Sequence, residues 1–290
     1  MEQFNYTFGR TRRPDFDATP AASRYRLWDV DYVRVTGKQG GELFLTRHGW
    51  GCVESVLPSA WFVGDRFKKV GRPAAGATGA VYRVPVVHRA RAEFTLLVKF
   101  SRAAQDTAVT VLDRGAHLDD VERAKIEAAA FLGPFEEFAN LQALRRAAGG
   151  AILTEQPLAI YSPPTRYHDW QLGRHASMCH QMSRGLEAEQ ADVPEERRIR
   201  YDWERIYILL YRWVEGIDAE AAAQAGMIST ETMQALGLEA RATLARFGWM
   251  VCDHKPRHVV IRRNRRGDGL LGRAGAPRWA LIDYELLVRR

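Results

Sequence analysis

Two short segments near the end of the chain carry side chains that could act on a phosphate group. Residues 253–258 read Asp-His-Lys-Pro-Arg-His, and Asp283 follows the apolar run Trp279–Ile282. A carboxylate at such a strand end suits Mg²⁺, a hard cation that takes oxygen ligands. Phosphoryl transfer depends on positioning and on charge neutralisation more than on covalent help, and two carboxylates with a lysine suit that chemistry.

Two further features lie within the first hundred residues. Gly76 and Gly79 lie between two predicted strands, and the absence of a Cβ lets backbone N–H groups approach phosphate oxygens. Lys99 lies inside the apolar run Phe94–Phe100, where a lysine is costly to bury without a partner. The alternatives are an ordinary hairpin turn for the glycines and a lysine that extends to solvent from a strand edge.

In their order along the chain, these segments resemble the protein-kinase-like superfamily. Residues 74–82, Ala-Ala-Gly-Ala-Thr-Gly-Ala-Val-Tyr, are similar to the kinase glycine-rich loop, with Ala in place of the first Gly. Residues 283–285, Asp-Tyr-Glu, are similar to the metal-binding segment of small-molecule kinases related to aminoglycoside phosphotransferases. The resemblance spans about residues 67–287 and implies a two-lobed α+β fold that binds ATP with Mg²⁺ or Mn²⁺.

The resemblance implies a nucleotide site made of residues Gly76, Gly79, Val81, Lys99, Glu137, Tyr211, Trp213 and Val214. Lys99 would bind the α- and β-phosphates and pair with Glu137 on the following helix. Glu136 is the near rival of Glu137 and would point about 100° away on that helix. Tyr211 would hold the gatekeeper position, and backbone groups around residues 212–214 would bind the adenine edge.

The same resemblance implies catalytic and metal-binding roles. Asp253 would orient the acceptor hydroxyl, and Lys255 would neutralise charge on the γ-phosphate. Asp283 would hold the metal together with His258, which stands where the family places an Asn and favours Mn²⁺ because imidazole is a softer ligand. Val251 and Cys252 replace the usual His-Arg pair. These departures leave two alternatives open, a pseudokinase that docks a partner and a kinase-fold AMP transferase.

The composition of the chain bears on its size class, its compartment and its binding partners. The 290 residues are 46% hydrophobic and 27% charged, which suffices for one large domain or two lobes. The sequence shows neither a run of about 20 apolar residues nor a basic-then-apolar start, so we expect no membrane association. Three widely spaced cysteines favour a reducing cytoplasm, with a secreted bacterial effector as the alternative. The net charge of +7 comes with Arg runs that lack interleaved aromatics, so a nucleic-acid partner is not expected.

We predict three regions: an N-terminal extension at 1–65, a kinase-like N-lobe at 66–216 with an insertion at 162–203, and a shortened C-lobe at 217–290. The chain ends seven residues after Asp283, which is similar to minimal bacterial effector kinases. The acceptor would then be bound by the extension, by the insertion or by a partner protein that completes the site.

Periodicity predicts the elements that position these residues. Predicted strands are Trp28–Val35, Glu42–Thr46, Gly51–Val56, Phe67–Gly71, Ala80–Val87, Glu93–Phe100, Thr107–Leu112 and Ile206–Val214, with a strand pair or bent strand at Ile152–Tyr161 and a hairpin of Val259–Arg263 and Trp279–Ile282. A predicted helical pattern begins near Asp119 and strengthens after Pro134, and two more helices are predicted at Asp218–Gln224 and Thr230–Phe247. The order of these elements indicates the α+β class.

Two other motifs are weaker. Arg47-His48-Gly49 resembles the strand-end motif of histidine phosphatases, but the surrounding sequence does not predict their doubly wound domain. His168, His175, Cys179 and His180 are residue types that bind zinc, but their spacing matches no structural zinc site.

Overall fold

The computed structural model describes residues 15–74, 80–87, 93–107, 119–262, 272–273 and 276–290. They form a mixed α+β protein with a large antiparallel sheet. The chain divides into two compact units, the first made of Met1–Asp106, Gly133–Ala139 and Gln156–Trp213, the second of Thr107–Leu132, Asn140–Glu155 and Val214–Arg290. None of the described helices combines the length and apolarity that a membrane crossing requires.

The strands are β1 (Arg24–Leu27), β2 (Val30–Thr36), β3 (Glu42–Thr46), β4 (Arg72–Pro73), β5 (Val81–Val87), β6 (Glu93–Phe100), β7 (Leu153–Thr154), β8 (Gln156–Ser162), β9 (Ile208–Arg212), β10 (Ile217–Asp218), β11 (Trp249–Val251), β12 (Val259–Ile261), β13 (Gly272–Arg273), β14 (Ala276–Pro277), β15 (Trp279–Leu281) and β16 (Leu287–Arg289). The α-helices are α1 (Arg47–Gly51), α2 (Val53–Val56), α3 (Pro58–Trp61), α4 (Arg66–Lys69), α5 (Asp120–Glu127), α6 (Pro134–Ala148), α7 (Asp169–Leu172), α8 (Ala176–Glu189), α9 (Ala219–Gln224) and α10 (Thr230–Arg246).

The first unit is built on an eight-stranded sheet in the order β1-β2-β3-β8-β9-β6-β5-β4. Because side chains alternate across a strand, Leu96 and Val98 of β6 face the main core, whereas Leu97 and Lys99 face the other side. The same alternation in β9 places Tyr211 on the face that carries Lys99. The sheet therefore presents Lys99 and Tyr211 on one face, as diagonal neighbours on adjacent strands.

Short helices occupy two segments for which strands were predicted, and both predictions were wrong. Gly51–Val56 lies in α1 and α2, and Phe67–Gly71 begins in α4. The Thr46 side chain starts the helical run by accepting a hydrogen bond from the Gly49 backbone N–H. A Cβ at Gly49 would lie 1.9 Å from the Leu158 carbonyl oxygen, so glycine allows the helix to begin against β8.

The region predicted as an N-terminal extension contributes strands to this sheet. β3 pairs antiparallel with β8, with Leu43 opposite Tyr161. The segment predicted as an insertion at 162–203 contains α7 and α8 and lies in the first unit as well. Arg47 lies in α1, where its guanidinium pairs with Asp17 at 2.7 Å rather than lining a strand-end site.

The second unit contains a four-stranded sheet in the order β10-β12-β15-β7 and a separate β11–β16 pair. The predicted helices are present, and side chains of Asp119, Asp218 and Ser229 accept hydrogen bonds at the starts of α5, α9 and α10. The predicted hairpin is present as β12 and β15. The predicted strand Thr107–Leu112 lies outside the described residues except for Thr107.

Candidate functional site

The first unit contains a buried ion pair between β6 and α6. Lys99 Nζ donates to Glu137 Oε1 at 3.0 Å, and the two side chains are 7% and 2% exposed. The pairing that the sequence predicted is therefore present. A buried pair of this kind is costly to desolvate and gives little net stability, so its presence calls for another reason.

Tyr211 completes a three-residue network around the same carboxylate. Its hydroxyl donates to Glu137 Oε1 at 2.5 Å, and its ring packs against Phe138 with centroids 5.1 Å apart. Lys99 and Tyr211 thus share one acceptor oxygen, which fixes the carboxylate rotamer. Sequence reasoning placed Tyr211 beside the nucleotide but did not foresee this bond, because strand register is not visible in a single sequence.

The rival carboxylate has a different environment. Glu136 Oε2 accepts from the Gly133 backbone N–H at 2.9 Å, at the start of α6. Burial raises the pKa of Glu136, and that backbone hydrogen bond opposes the effect. Glu137 rather than Glu136 therefore pairs with the lysine, as the helical spacing predicted.

The other residues predicted to bind nucleotide do not all lie in the first unit. Val81 of β5 lies directly opposite Lys99 in the sheet. The Trp213 backbone N–H donates to the Thr95 carbonyl at 3.0 Å, and its ring contacts the Arg83 guanidinium at 5.2 Å. Val214 is half-buried and belongs to the second unit. Gly76 and Gly79 lie outside the described residues.

In the second unit, two antiparallel ladders hold two loops against each other. Residues 249–251 pair with 287–289, and residues 259–261 pair with 279–281. The loops 252–258 and 282–286 are thus paired at both ends, and two backbone bonds join them, Cys252 N–H to the Leu286 carbonyl at 3.1 Å and Ile282 N–H to the His258 carbonyl at 2.9 Å. This arrangement brings together the predicted residues of both segments.

Asp253, His258 and Asp283 form one cluster between these loops. One ligand atom from each residue lies within 4.8 Å of the others. His258 Nε2 is 3.7 Å from Asp283 Oδ2, and the His258 side chain is buried. Within the described part of the chain, no other group of three or more His, Cys, Asp or Glu side chains has such spacing. Residues 168–180, which were considered for zinc, therefore do not form a comparable cluster.

Lys255 contacts Asp253 rather than reaching away from the loop. Its Nζ donates to Asp253 Oδ2 at 3.2 Å. The other oxygen, Asp253 Oδ1, is buried and makes no hydrogen bond with the described residues. A buried carboxylate oxygen without a donor is costly, so the site fits an added cation.

Two neighbouring residues that the sequence did not single out shape the loops. His254 Nε2 lies 3.1 Å from the Gly237 carbonyl of α10, and burial lowers the pKa of His254 to about 4. Tyr284 is fully buried and donates to the Leu281 carbonyl at 2.5 Å. Asp283, directly before it, has a left-handed backbone with φ of 66°. The spacing of residues in the sequence does not predict the contact of His254 with Gly237 or that of Tyr284 with Leu281.

The thiol next to Asp253 is shielded. Cys252 is buried, its Sγ lies 3.8 Å from the Lys125 carbonyl, and burial with the charge of Asp253 raises its pKa to about 11. Cys252 is therefore a packing residue beneath the loop.

Comparison with known proteins finds similarity among solved structures. No protein-family model matches the chain, and no curated protein matches it. The chain is similar to a solved structure described as the complex of Rv3197 with erythromycin from Mycobacterium tuberculosis, at 15% identity and a TM-score of 0.34. The match covers 82% of this chain and 51% of that chain, so it spans about half the length of that protein.

Proposed function

We propose that this chain is an ATP-dependent phosphotransferase with a protein-kinase-like fold, and that it transfers the γ-phosphate to a protein or small-molecule hydroxyl. The proposal rests on the motif order in the sequence and on the side-chain pairs within each compact unit. Each unit contains its own part of the chemistry.

The observation that carries the proposal is the buried Lys99–Glu137 pair. These residues are 38 positions apart and meet at 3.0 Å, as the resemblance to kinases implied. Replacing such a pair by apolar residues is commonly neutral or stabilising, so stability alone gives no reason for it. A phosphate-binding role supplies the reason, because the carboxylate holds the ammonium in one position for the α- and β-phosphates.

In the second unit, Asp253 orients the acceptor hydroxyl and accepts its proton, and Lys255 offers positive charge to the transferred phosphoryl group. The Lys255 side chain is one-third exposed and pairs with Asp253, two positions before it in the chain. The ammonium group is therefore able to turn toward a ligand. Asp283 and His258 would hold Mg²⁺ or Mn²⁺. When bound, the ion would neutralise phosphate charge.

A pseudokinase is the second candidate, and one observation favours it. His258 is buried at the position where the family has a metal-binding Asn, and Val251 and Cys252 stand where it has His-Arg. A protein of this kind would bind nucleotide without turnover, or would only dock a partner. An AMP transferase differs only in which phosphorus atom is attacked, and labelling separates it.

The test is autolabelling of the full chain with γ-labelled and α-labelled ATP, each with Mg²⁺ or Mn²⁺. The phosphotransferase predicts γ-label and no α-label, and AMP transfer predicts the reverse. Thermal shift with ATP and metal detects binding without turnover, which is the pseudokinase outcome. If neither label is incorporated into the chain or into added hydroxyl acceptors, the phosphotransferase proposal fails.

Two substitutions assign the roles. Asp283→Asn is expected to remove the metal-dependent thermal shift with ATP, because a carboxylate ligand is lost. Lys99→Met is expected to weaken ATP binding with and without metal. The control is Lys68→Met, since Lys68 is an exposed lysine of α4 in the first unit. If Lys99→Met and Lys68→Met bind ATP equally, Lys99 has no role in nucleotide binding.

A further inference from the structure

Three side chains of the second unit point to a more specific metal site than the proposed function requires. We infer that Asp253, His258 and Asp283 together bind one divalent transition-metal ion, such as Mn²⁺ or Co²⁺, before nucleotide binds. The inference deepens the proposed function, because it makes Asp253 a ligand rather than only the group that faces the acceptor. Its test needs neither nucleotide nor turnover.

The spacing of His258 and Asp283 fits an ion held between them. The 3.7 Å between His258 Nε2 and Asp283 Oδ2 is too long for a hydrogen bond. Two donors bonded to one ion at about 2.1 Å, with an angle of about 90–120° between them, lie roughly 3–3.6 Å apart. The observed separation is close to that range, so a small closing movement would suffice.

Asp253 supplies the third ligand atom. Its Oδ2 is engaged by Lys255 Nζ at 3.2 Å, and its Oδ1 is buried without a hydrogen-bond partner among the described residues. Its side chain is 11% exposed, so water has little access to that oxygen. An ion shared with His258 and Asp283 would satisfy Oδ1.

The donor set selects the kind of ion. Mg²⁺ prefers oxygen ligands and is usually held by one or two carboxylates together with substrate phosphates. An imidazole nitrogen with two carboxylates favours Mn²⁺, Co²⁺ or Zn²⁺, whose affinity for nitrogen donors is higher. Three protein ligands also reduce the dependence on phosphate oxygens, so the ion is expected to bind to the nucleotide-free protein.

The hydrogen bonding of the His258 ring limits how tightly the site can bind a metal ion. A histidine that binds metal through Nε2 carries its proton on Nδ1, which usually donates to a carboxylate or carbonyl. His258 Nδ1 is buried and has no hydrogen-bond partner among the described residues. Loss of such an outer contact typically weakens metal binding by about 10–100-fold. The site is therefore expected to exchange its ion with free metal in solution rather than retain it permanently.

The experiment is a titration of the full chain with Mn²⁺ in the absence of nucleotide, in which the free-ion electron paramagnetic resonance signal reports binding. Competition with Mg²⁺ gives the preference. We expect one Mn²⁺ per chain and a preference over Mg²⁺ of at least about tenfold. Asp253→Asn and Asp283→Asn are each expected to weaken Mn²⁺ binding by about tenfold or more.

The discriminating variant is His258→Asn, which replaces the nitrogen donor by an amide oxygen. It is expected to bring the Mn²⁺ and Mg²⁺ affinities to within roughly threefold of each other. The matched control is His175→Asn, because His175 pairs with Asp106 in the first unit and should leave both affinities unchanged. Circular dichroism and thermal melting in chelator show whether each variant is folded.

Three results would overturn the inference: no Mn²⁺ binding without nucleotide, an unchanged preference in folded His258→Asn, or unchanged affinity in folded Asp253→Asn. If a variant does not fold, Lys255→Met provides the second measurement. Removing this ammonium from beside Asp253 should tighten Mn²⁺ binding, and a weaker or equal affinity counts against the site. If the chain binds metal but transfers no phosphate, only the proposed function is contradicted. If it transfers phosphate with Mg²⁺ but binds no metal in the absence of nucleotide, only this inference is contradicted.

Discussion

Lys99 Nζ and Glu137 Oε1 lie 3.0 Å apart in the interior of the first unit, and both side chains are shielded from water. Neither charge has an evident benefit without the other, because an isolated buried charge costs several kcal/mol. Because each charge depends on the other, single and double substitutions of this pair should differ in their effect on stability while both remove ATP binding.

Removing one partner of this pair should destabilise the fold more than removing both. We expect Lys99→Met to lower the free energy of unfolding by about 3–5 kcal/mol, because Glu137 remains buried without its counter-charge. The double variant Lys99→Met/Glu137→Gln, whose amide oxygen can still accept from the Tyr211 hydroxyl, should recover most of that loss while still failing to bind ATP. Urea unfolding of the single and double variants measures the difference. Equal stability of the two would show that the pair is not energetically coupled.

The hydroxyl of Tyr211 should also contribute to stability. Tyr211→Phe removes its hydrogen bond to Glu137 and leaves the ring packing against Phe138 intact. Hydrogen bonds to charged groups contribute about 1.5–3 kcal/mol, so a loss in that range is expected. The control is Tyr82→Phe, since Tyr82 is half-buried in the same sheet. Similar losses for both variants, measured by chemical denaturation, would contradict a special role for Tyr211.

The left-handed backbone of Asp283 makes the choice of substitution matter. Asn and Asp tolerate positive φ better than other residues with a side chain, whereas Ala does not gain from local hydrogen bonding. We expect Asp283→Ala to be about 1 kcal/mol less stable than Asp283→Asn, although both lack the charge. Thermal or chemical unfolding in chelator measures the difference. If Ala proves at least as stable as Asn, the backbone at this position is not strained.

His254 should make the stability depend on pH. Burial lowers its pKa to about 4, whereas the unfolded value is about 6.5. The unfolded chain therefore binds more protons between these values, so the free energy of unfolding should fall as the pH decreases from about 6.5 toward 4. The slope contributed by one histidine reaches at most about 1.4 kcal/mol per pH unit.

His254→Gln tests this assignment, since an amide can still donate to the Gly237 carbonyl. Its unfolding free energy should fall less steeply over the same pH range. His180→Gln, at an exposed position of α8, should keep the full slope. Parallel slopes for wild type and His254→Gln would mean that other groups control the acid sensitivity.

The sequence predicted the elements with strong local signals. The helical patterns that begin near Asp119 and cover Thr230–Phe247 are present as α5 and α10, and Gly149 and Gly150, both with positive φ, follow the end of α6. The helical spacing that selected Glu137 over Glu136 was sufficient to identify the partner of Lys99. These features depend on residues close together in the chain, which a single sequence displays.

The sequence did not predict the features that depend on tertiary contacts. The segments Gly51–Val56 and Phe67–Gly71 were predicted as strands, because short apolar runs fit either period. Close packing of Gly49 against β8 and of Phe67 against Tyr82 of β5 accompanies the helices that form there instead. The bond from Tyr211 to Glu137 requires strand register. Register is set by pairing between distant segments, which local spacing does not encode.

The two ladders that flank the Asp253 and Asp283 loops have a consequence for variation in chain length. Positions 258 and 283 are set by the pairing of Val259 with Leu281, at the end of the β12–β15 ladder that is away from the linker between Ile261 and Trp279. Residues added to or removed from that linker should leave the three ligand positions where they are. A protein built in this way can diversify its hairpin tip without altering its chemistry.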